Sequence, residues 1–203
     1  MPSAEFELLD RIRRLASPTE RSQLIDELDS IRGPEIALFR LWTRVHETWQ
    51  FDGWTDDGYY ASKVDLARDI QLLSATEYGV SDIENGGLHQ FFWNGTGVFA
   101  PEMIEWFDRA GMPEAAEILR KAVGRFGPVY PRSQGDRQEF LDGFEGKSRA
   151  EWDPFYELDD PFFVVLRPNE AQPTHFEVMA DRWLHETCGI KKLGDPPRTA
   201  HPD

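Results

Sequence analysis

The chain has 203 residues, and its 37 Asp and Glu residues outnumber 22 Lys and Arg residues, which gives a formal net charge of -15. A surface of this sign repels nucleic acid and anionic membranes, whereas it favours a basic partner or simply keeps the protein in solution. The single cysteine, Cys188, excludes a disulfide framework, and no apolar run approaches the roughly 20 residues that a membrane span needs. We therefore expect a cytoplasmic protein.

Helix signals open the chain. Ser17 and Glu20 form a capping box, and Gly33 stands where the helix that follows would end. Pro34 suits the first position of a second helix, in which apolar residues recur at helical spacing. Residues 17–49 are therefore predicted to form a hairpin of two helices.

The same pattern continues further along the chain. Broad apolar faces predict helices at residues 101–110 and 113–126, and Ser148, Asp160 and Thr174 stand where three more helices would begin. The segment FFVVL has a β-like composition, but it is short and follows Asp-Pro, so a buried helix is predicted there too. The predicted fold is an all-α, single compact domain of about nine or ten short helices.

One stretch, ENGGLHQFFWNGTG at residues 84–97, is too rich in glycine for an ordinary helix and too apolar for an ordinary loop. Gly86 and Gly87 allow a positive φ and close backbone approach before a short apolar run, and Gly95 and Gly97 allow the same after it. The run LHQFFW between them offers apolar or aromatic surface on nearly every side. We therefore predict a buried, tightly turned segment that is threaded through the core.

This stretch resembles the signature of the bacterial DNA-mimic protein domain family, in which Glu and Asn-Gly-Gly precede a Gln, two aromatic residues, an Asn and a Gly. The matching positions are Glu84, Asn85, Gly86, Gly87, Gln90, Phe91, Phe92, Asn94 and Gly97. The resemblance extends through the later segments IEWFDRAGMPEAAEILRKAVGRFG, PRSQGDRQEFLDGF and FYELDDPFF. The resemblance covers roughly residues 64–188. Together with the helix signals, it leads us to expect an N-terminal helical segment at residues 1–62 that packs on the core, a DNA-mimic-like helical domain at 63–192 and a flexible tail at 193–203.

The resemblance implies an all-helical fold that is often dimeric. For the namesake of the family it implies an acidic surface that imitates DNA and occupies a DNA-binding transcription factor. The shared motif consists mostly of Gly, Asn and aromatic residues, so it explains the fold. Mimicry would depend on surface acids, which the motif does not fix.

Negative charge is concentrated in two blocks of the sequence. No Lys or Arg lies between Arg68 and Arg109, and residues 151–160 carry five acids and no base, whereas residues 111–150 carry six acids against seven bases. Ten acids of the two blocks are predicted to form an acidic surface that contacts a basic partner. They are Asp69, Glu77, Asp82, Glu102, Glu105, Glu151, Asp153, Glu157, Asp159 and Asp160.

The candidate catalytic and metal sites have ordinary explanations. Glu177, Asp181 and His185 lie four residues apart and could share a helix face, but a solvated face with ion pairs explains them too. Glu84 and His89 could act as acid and base, yet Glu84 also suits a role in anchoring the turn. We predict no catalytic residue, no metal and no cofactor.

Two functions follow as alternatives. The first is a non-enzymatic acidic interaction protein that binds a basic protein, such as a DNA-binding regulator whose DNA site it would occupy. The second is an immunity or antitoxin-like inhibitor of a specific enzyme or toxin, through a shape-complementary patch around Trp54 in the acidic loop DGWTDDG. Neither involves direct binding of nucleic acid or membrane, and both allow a homodimer.

Overall fold

The structure, a computed structural model, describes Phe39 and residues 68–168 and 173–187. These residues fall into two compact units, one with residues 68–168 and 173–176 and the other with Phe39 and residues 177–187. Seven α-helices are bounded within the described ranges, and no strand occurs in them. The predicted all-α class is therefore confirmed.

The first described helix, α1 (Arg68–Trp93), is the element against which the larger unit is built. It contains a sharp bend at Gly86 and Gly87. A 3-10 helix, η1 (Gly95–Phe99), begins two residues after α1 ends and leads directly into α2 (Ala100–Arg109). Both η1 and α2 pack against α1, so the chain folds back onto α1 after the motif.

Five further helices complete the described chain. They are α3 (Pro113–Gly124), α4 (Gln134–Asp142), α5 (Arg149–Trp152), α6 (Tyr156–Leu166) and α7 (His175–Thr187). Helices α4 and α6 pack against α1, and α3 packs against α2 and α6. Each of these contacts between α1, α2, α3, α4 and α6 lies within the larger unit.

Aromatic rings fill the core around the C-terminal end of α1. Phe91 and Phe92 are fully buried, and their ring centroids lie 4.9 Å apart. The ring of Phe92 also lies 4.7 Å from that of Phe155 and 5.0 Å from that of Phe126. Because each such ring buries about 150 to 250 Å², the cluster fixes the end of α1 against the segments that precede α4 and α6.

The helix start predicted at Asp160 is wrong, because α6 begins at Tyr156 and contains Pro161. Proline forfeits one backbone hydrogen bond, but the buried residues Leu158, Phe162 and Leu166 recur every four positions and keep one apolar face of the helix on the core. The segment FFVVL is helical, as predicted. Within it, Val164 is exposed.

Several predictions fall on residues that the structure does not describe. The hairpin at residues 17–49 lies outside the described residues apart from Phe39, and so do the loop with Trp54 and the predicted boundaries near residues 62 and 192. The predicted division into three segments therefore stays a prediction. Within the described ranges, no helix is both long enough and apolar enough to cross a membrane.

Candidate functional site

The motif at residues 84–97 bends α1 over a buried carboxylate. Gly87 has a φ of 79°, and a Cβ atom at this position would lie 2.5 Å from Asp159 Oδ2 and 2.8 Å from Arg149 Nη2. The backbone N–H of Leu88 donates to Asp159 Oδ1 at 2.8 Å. The bend therefore uses both properties of glycine, its access to positive φ and its lack of a side chain.

The Asp82 side chain is hydrogen-bonded to several polar residues of the motif. Its carboxylate accepts hydrogen bonds from Gln90 Nε2 at 2.8 Å, from Asn94 Nδ2 at 3.0 Å to each oxygen, and from the Thr96 hydroxyl. These bonds tie the part of α1 before the bend to the segment after it. Asp82 is half-buried, and its lone pairs are used within the chain.

The remaining polar positions of the motif are also held locally. Glu84 accepts from Arg167, with Nη2 2.6 Å from Oε1, and Asn85 Nδ2 donates to the backbone oxygen of Ser81 at 2.9 Å. A Cβ atom on Gly86 would lie 2.1 Å from Gln90 Oε1. The motif therefore builds the fold at this point of the chain.

Arg137 is a fully buried cation that the sequence did not single out. Its Nε donates to the backbone oxygen of Phe92 at 3.0 Å and its Nη2 to that of Asn94 at 2.9 Å. Gly97 makes room for it, because a Cβ atom there would lie 2.7 Å from Nε. The guanidinium thus satisfies carbonyls at the end of α1, where a helix lacks internal donors and favours positive charge. The sequence signal that could have identified Arg137 as buried is its position one helical turn before Leu141, which shares the buried face of α4.

Two buried carboxylates share one arginine beside the bend. Arg149 Nε lies 3.0 Å from Asp153 Oδ2, and its Nη2 lies 2.6 Å from Asp159 Oδ2. Asp153 also accepts the backbone N–H of Phe155 at 2.8 Å. Burial raises the pKa of Asp159 above its ordinary value, and the N–H donated by Leu88 opposes that shift. Both aspartates are predicted partner contacts, yet the structure buries them, with 3% and 5% of their surface exposed.

His89 lies beside this cluster in a row of aromatic rings. Its ring stacks on that of Trp93 with centroids 6.1 Å apart, and it meets the ring of Trp152 edge-on at 5.1 Å. Burial lowers the pKa of His89, although the Asp153 carboxylate acts in the opposite direction. Glu84, its candidate acid partner, pairs with an arginine instead.

The ten acids predicted as partner contacts divide between the interior and the surface. Glu102 is buried, and both of its oxygens lie 3.0 Å from Arg132 Nη1. Three acids pair with arginines at the surface, namely Asp69 with Arg109, Glu105 with Arg68 and Arg109, and Glu157 with Arg125. The Arg68 guanidinium lowers the pKa of Glu105. Glu77 is half-buried, whereas Glu151 and Asp160 are exposed, so the ten do not form one exposed surface.

A row of exposed acids lies instead in a segment whose sequence charge is nearly neutral. Four of them recur every three residues on and just after α4, and none forms an ion pair with any part of the chain that the structure describes. They are Asp136, Glu139, Asp142 and Glu145. The regular spacing of these acids can be read from the sequence. The seven bases of residues 111–150 make the segment nearly neutral overall, so its net charge did not single the acids out.

The arginines of that segment are committed to other acids. Arg120 pairs with Asp108 and Glu117, Arg125 with Glu157, Arg132 with Glu102, and Arg149 with Asp153 and Asp159. Arg137 is buried against backbone carbonyls. The carboxylates of α4 therefore form no ion pair with these arginines, which a count along the chain does not reveal.

A pocket of about 500 Å³, lined mainly by residues with polar side chains, opens next to Asp82. One face of α1 lines it with Tyr78, Ser81, Asp82 and Asn85, the chain from Asn94 to Thr96 forms a second wall, and Gln134 at the start of α4 completes it. The lining contains one carboxylate and no Lys or Arg. Its size lies in the range of sites that take small molecules or single side chains.

Among the described residues, no group of three or more His, Cys, Asp or Glu side chains is placed to hold a metal ion. Asp181, from the metal site weighed in the sequence, accepts the backbone N–H of Phe39 at 3.0 Å. The side chain of His185 lies outside the described part of the chain. The predicted absence of metal and cofactor stays a prediction.

Comparison with known proteins identifies the family. A family model described as DMP19-like protein matches residues 64–186, which is more than half of the chain. The match contains the whole motif at residues 84–97 and helices α1 to α6. No curated protein and no solved structure matches the chain. The resemblance to a DNA-mimic family is confirmed, and the chain belongs to the DMP19-like protein family.

Proposed function

We propose that the protein is a non-enzymatic, acidic interaction protein of the cytoplasm that occupies the DNA-binding surface of a basic partner, such as a transcription regulator. Its membership of a DNA-mimic family supports this proposal. The observation that carries it is the row of exposed acids on α4 that form no ion pair in the described chain, which we call the α4 acidic row and which consists of Asp136, Glu139, Asp142 and Glu145.

The spacing of the α4 acidic row resembles the charge density of one DNA strand. Three residues of α-helix rise about 4.5 Å, so the charges from Asp136 to Asp142 extend over about 9 Å. One strand of B-DNA carries a phosphate every 3.4 Å or so of its axis. Three carboxylates therefore stand in place of about three phosphates, which matches a local contact by a DNA-binding protein.

Two of the acids predicted from the sequence extend this surface in the proposal. Glu151 is exposed and lies against Gly146, since a Cβ atom on that glycine would lie 2.2 Å from Glu151 Cβ. Glu151 thus adjoins Glu145 at the end of the α4 acidic row. Asp160 is exposed on α6. Acids that already pair with an arginine add little to the field, because the two charges offset each other.

The first experiment is an affinity pulldown from lysate of the source cell at low and at high salt, followed by identification of the retained proteins and competition with labelled DNA. A DNA-binding protein that is held at low salt, released at high salt and displaced from DNA supports the proposal, because exposed ion pairs are screened by salt. Retention of a protein that does not bind DNA would refute mimicry.

A pair of triple variants tests the surface itself. The first removes charge from the α4 acidic row through Asp136→Asn, Glu139→Gln and Asp142→Asn, and the second removes the same charge from paired acids through Asp69→Asn, Glu105→Gln and Glu157→Gln. The first should weaken partner binding by at least about tenfold at low salt, and the second by less than about threefold. Equal losses would show that net charge alone governs binding.

One observation favours the alternative, a shape-complementary inhibitor of an enzyme or toxin. Trp93 is 36% exposed, although Phe91 and Phe92 directly before it are fully buried, and its ring is stacked on His89. Exposed, rigidly held tryptophans are common anchors of protein interfaces. Trp54, the anchor predicted from the sequence, lies outside the described residues. A homodimer also stays a prediction.

A further inference from the structure

The pocket beside Asp82 is lined by several side-chain amides, and the role of the motif in the fold does not explain all of their hydrogen-bonding groups. Its walls carry three side-chain amides, from Asn85, Asn94 and Gln134. Each amide has two N–H donors and an oxygen that can accept two hydrogen bonds. Which of these groups remain available decides what the pocket can bind.

The amide nitrogens are engaged within the chain. Asn94 Nδ2 donates to both oxygens of Asp82, Asn85 Nδ2 donates to the backbone oxygen of Ser81, and Gln134 Nε2 donates to the backbone oxygen of Trp93 at 3.1 Å. The orientation of each amide is fixed by chemistry, because a carboxylate or a carbonyl can only accept.

The oxygens of the same amides form no such bonds. Those of Asn85, Asn94 and Gln134 accept no hydrogen bond from any residue of the described chain. The Ser81 hydroxyl on the same wall can turn to accept as well. Together with the Asp82 carboxylate, these oxygens give the lining residues several acceptors and one negative charge.

We propose that this pocket binds a guanidinium group. A planar guanidinium presents five N–H donors and a permanent positive charge, and it therefore suits several unbonded amide oxygens on residues that line one pocket together with a single carboxylate. Arg137, whose Nη2 bonds to the backbone oxygen of the lining residue Asn94, does not line the pocket and directs its donors to the carbonyls of Phe92 and Asn94. No arginine of the described residues lines the pocket.

A metal ion fits the pocket less well. The carboxylate of Asp82 already accepts from Gln90, from Asn94 through both oxygens, and from Thr96. A carboxylate has about four acceptor positions, so no lone pair is left to coordinate an ion directly. A guanidinium needs no vacant position on Asp82, because it can bond to the amide oxygens and gain from the nearby charge.

The source of the guanidinium is either an arginine side chain of a protein or a small molecule. An arginine that normally contacts DNA phosphate would suit the pocket, and this part of the inference rests on the proposed function. The affinity of the pocket for guanidinium does not rest on it. The two can therefore be tested apart, with probes that require no partner.

The test uses the full chain, labelled with 15N, and titrates it with ethylguanidinium, urea and Ca²⁺ in separate experiments. Ethylguanidinium should shift the side-chain amide resonances of Asn85, Asn94 and Gln134 in a saturable way, and neither urea nor Ca²⁺ should do so. Urea has a similar planar shape but no charge. Equal shifts with urea, shifts with Ca²⁺ or no shift with ethylguanidinium would each overturn the proposal.

A matched pair of variants locates the binding. Gln134 and Gln138 both donate to the backbone oxygen of Trp93, at 3.1 and 3.0 Å, but only Gln134 lines the pocket. Each substitution, Gln134→Lys or Gln138→Lys, therefore leaves that oxygen one donor and adds the same charge. Gln134→Lys should weaken ethylguanidinium binding by at least about tenfold through like-charge repulsion, whereas Gln138→Lys should leave it within about twofold. Equal effects would overturn the assignment to this pocket.

The source is then identified with two further probes, free arginine and arginine with both backbone groups blocked. Tighter binding of blocked arginine indicates a protein side chain, and tighter binding of free arginine indicates a small molecule. If the pulldown finds no DNA-binding partner while ethylguanidinium binds, the proposed function fails and the pocket assignment stands. The reverse result removes the pocket alone.

Discussion

Gly87 faces Asp159 across a distance that no other residue type could keep, since a Cβ atom on Gly87 would lie 2.5 Å from Asp159 Oδ2. The same carboxylate accepts the N–H of Leu88 and pairs with Arg149. The bend of α1, the start of α6 and the short helix α5 therefore meet at one buried charge. The contacts of Asp159 therefore stabilise the bend in addition to the turn that the glycines of the motif allow.

The substitution Gly87→Ala should destabilise the fold by about 2 to 4 kcal/mol, because it adds backbone strain at positive φ to a clash with a buried carboxylate. Gly124→Ala is the control. Gly124 ends α3, and nothing lies within 4 Å of a Cβ atom there, so we expect a change within about 1 kcal/mol. Urea denaturation monitored by circular dichroism measures both, and similar effects would contradict the role of the bend.

Asp159→Asn should cost about 2 to 4 kcal/mol of unfolding free energy, because it leaves the Arg149 guanidinium facing a neutral amide in a partly buried site. The neighbouring change Asp160→Asn removes the same charge from an exposed position and should stay within about 0.5 kcal/mol. The same denaturation experiment compares the two variants. A small effect of Asp159→Asn would mean that water replaces the ion pair readily.

The helical class and the bend could be predicted because their signals are local. The repeated glycines at residues 86 and 87 and the apolar spacing along α2 and α3 act within a few residues of where they stand. Ser148 likewise stands directly before α5, as predicted, although its side chain makes no capping hydrogen bond. These features need no knowledge of what lies across the fold.

The distribution of charge could not be predicted, because it depends on partners far apart in sequence. Glu102 pairs with Arg132, thirty residues away, and Arg125 pairs with Glu157, thirty-two away. These long-range pairs neutralise acids in the blocks that looked most negative. They also engage Arg120, Arg125 and Arg132, three of the seven bases that make residues 111–150 nearly neutral in the sequence. The α4 acidic row is therefore recognised only in three dimensions.

Arg137 should be among the residues most sensitive to substitution. Arg137→Met keeps much of the side-chain volume but leaves the backbone oxygens of Phe92 and Asn94 without these donors, which should cost about 3 to 5 kcal/mol. Arg120→Met, which removes an exposed ion pair with Asp108, should cost less than about 1 kcal/mol. Thermal unfolding monitored by calorimetry ranks the two, and a stable Arg137→Met protein would show that water takes over those carbonyls.

The pH dependence of stability should contain a contribution from His89. Burial lowers the pKa of this residue in the folded state, so the folded protein binds fewer protons than the unfolded one, whose His titrates near about 6.5. The stability contributed by neutral His89 is therefore complete above that value and is lost as the pH falls through it. The loss of unfolding free energy caused by His89→Gln should therefore be smaller at about pH 5.5 than at about pH 7.5. Urea denaturation at the two pH values measures it. An equal loss at both would show that folding does not change the pKa of His89.

The ranking of two variants separates the proposed mimic from the shape-complementary alternative. In the mimic, the triple change in the α4 acidic row weakens binding to the retained partner more than Trp93→Ala does, and it also flattens the dependence of affinity on salt. In the alternative, Trp93→Ala costs about 2 kcal/mol or more of binding free energy, as an anchor does, and the salt dependence stays unchanged. Calorimetric titration at three salt concentrations measures both quantities on the same samples. Trp93 also packs on His89, so the variant's thermal stability is measured in parallel, and a binding loss counts toward the alternative only where the variant remains folded.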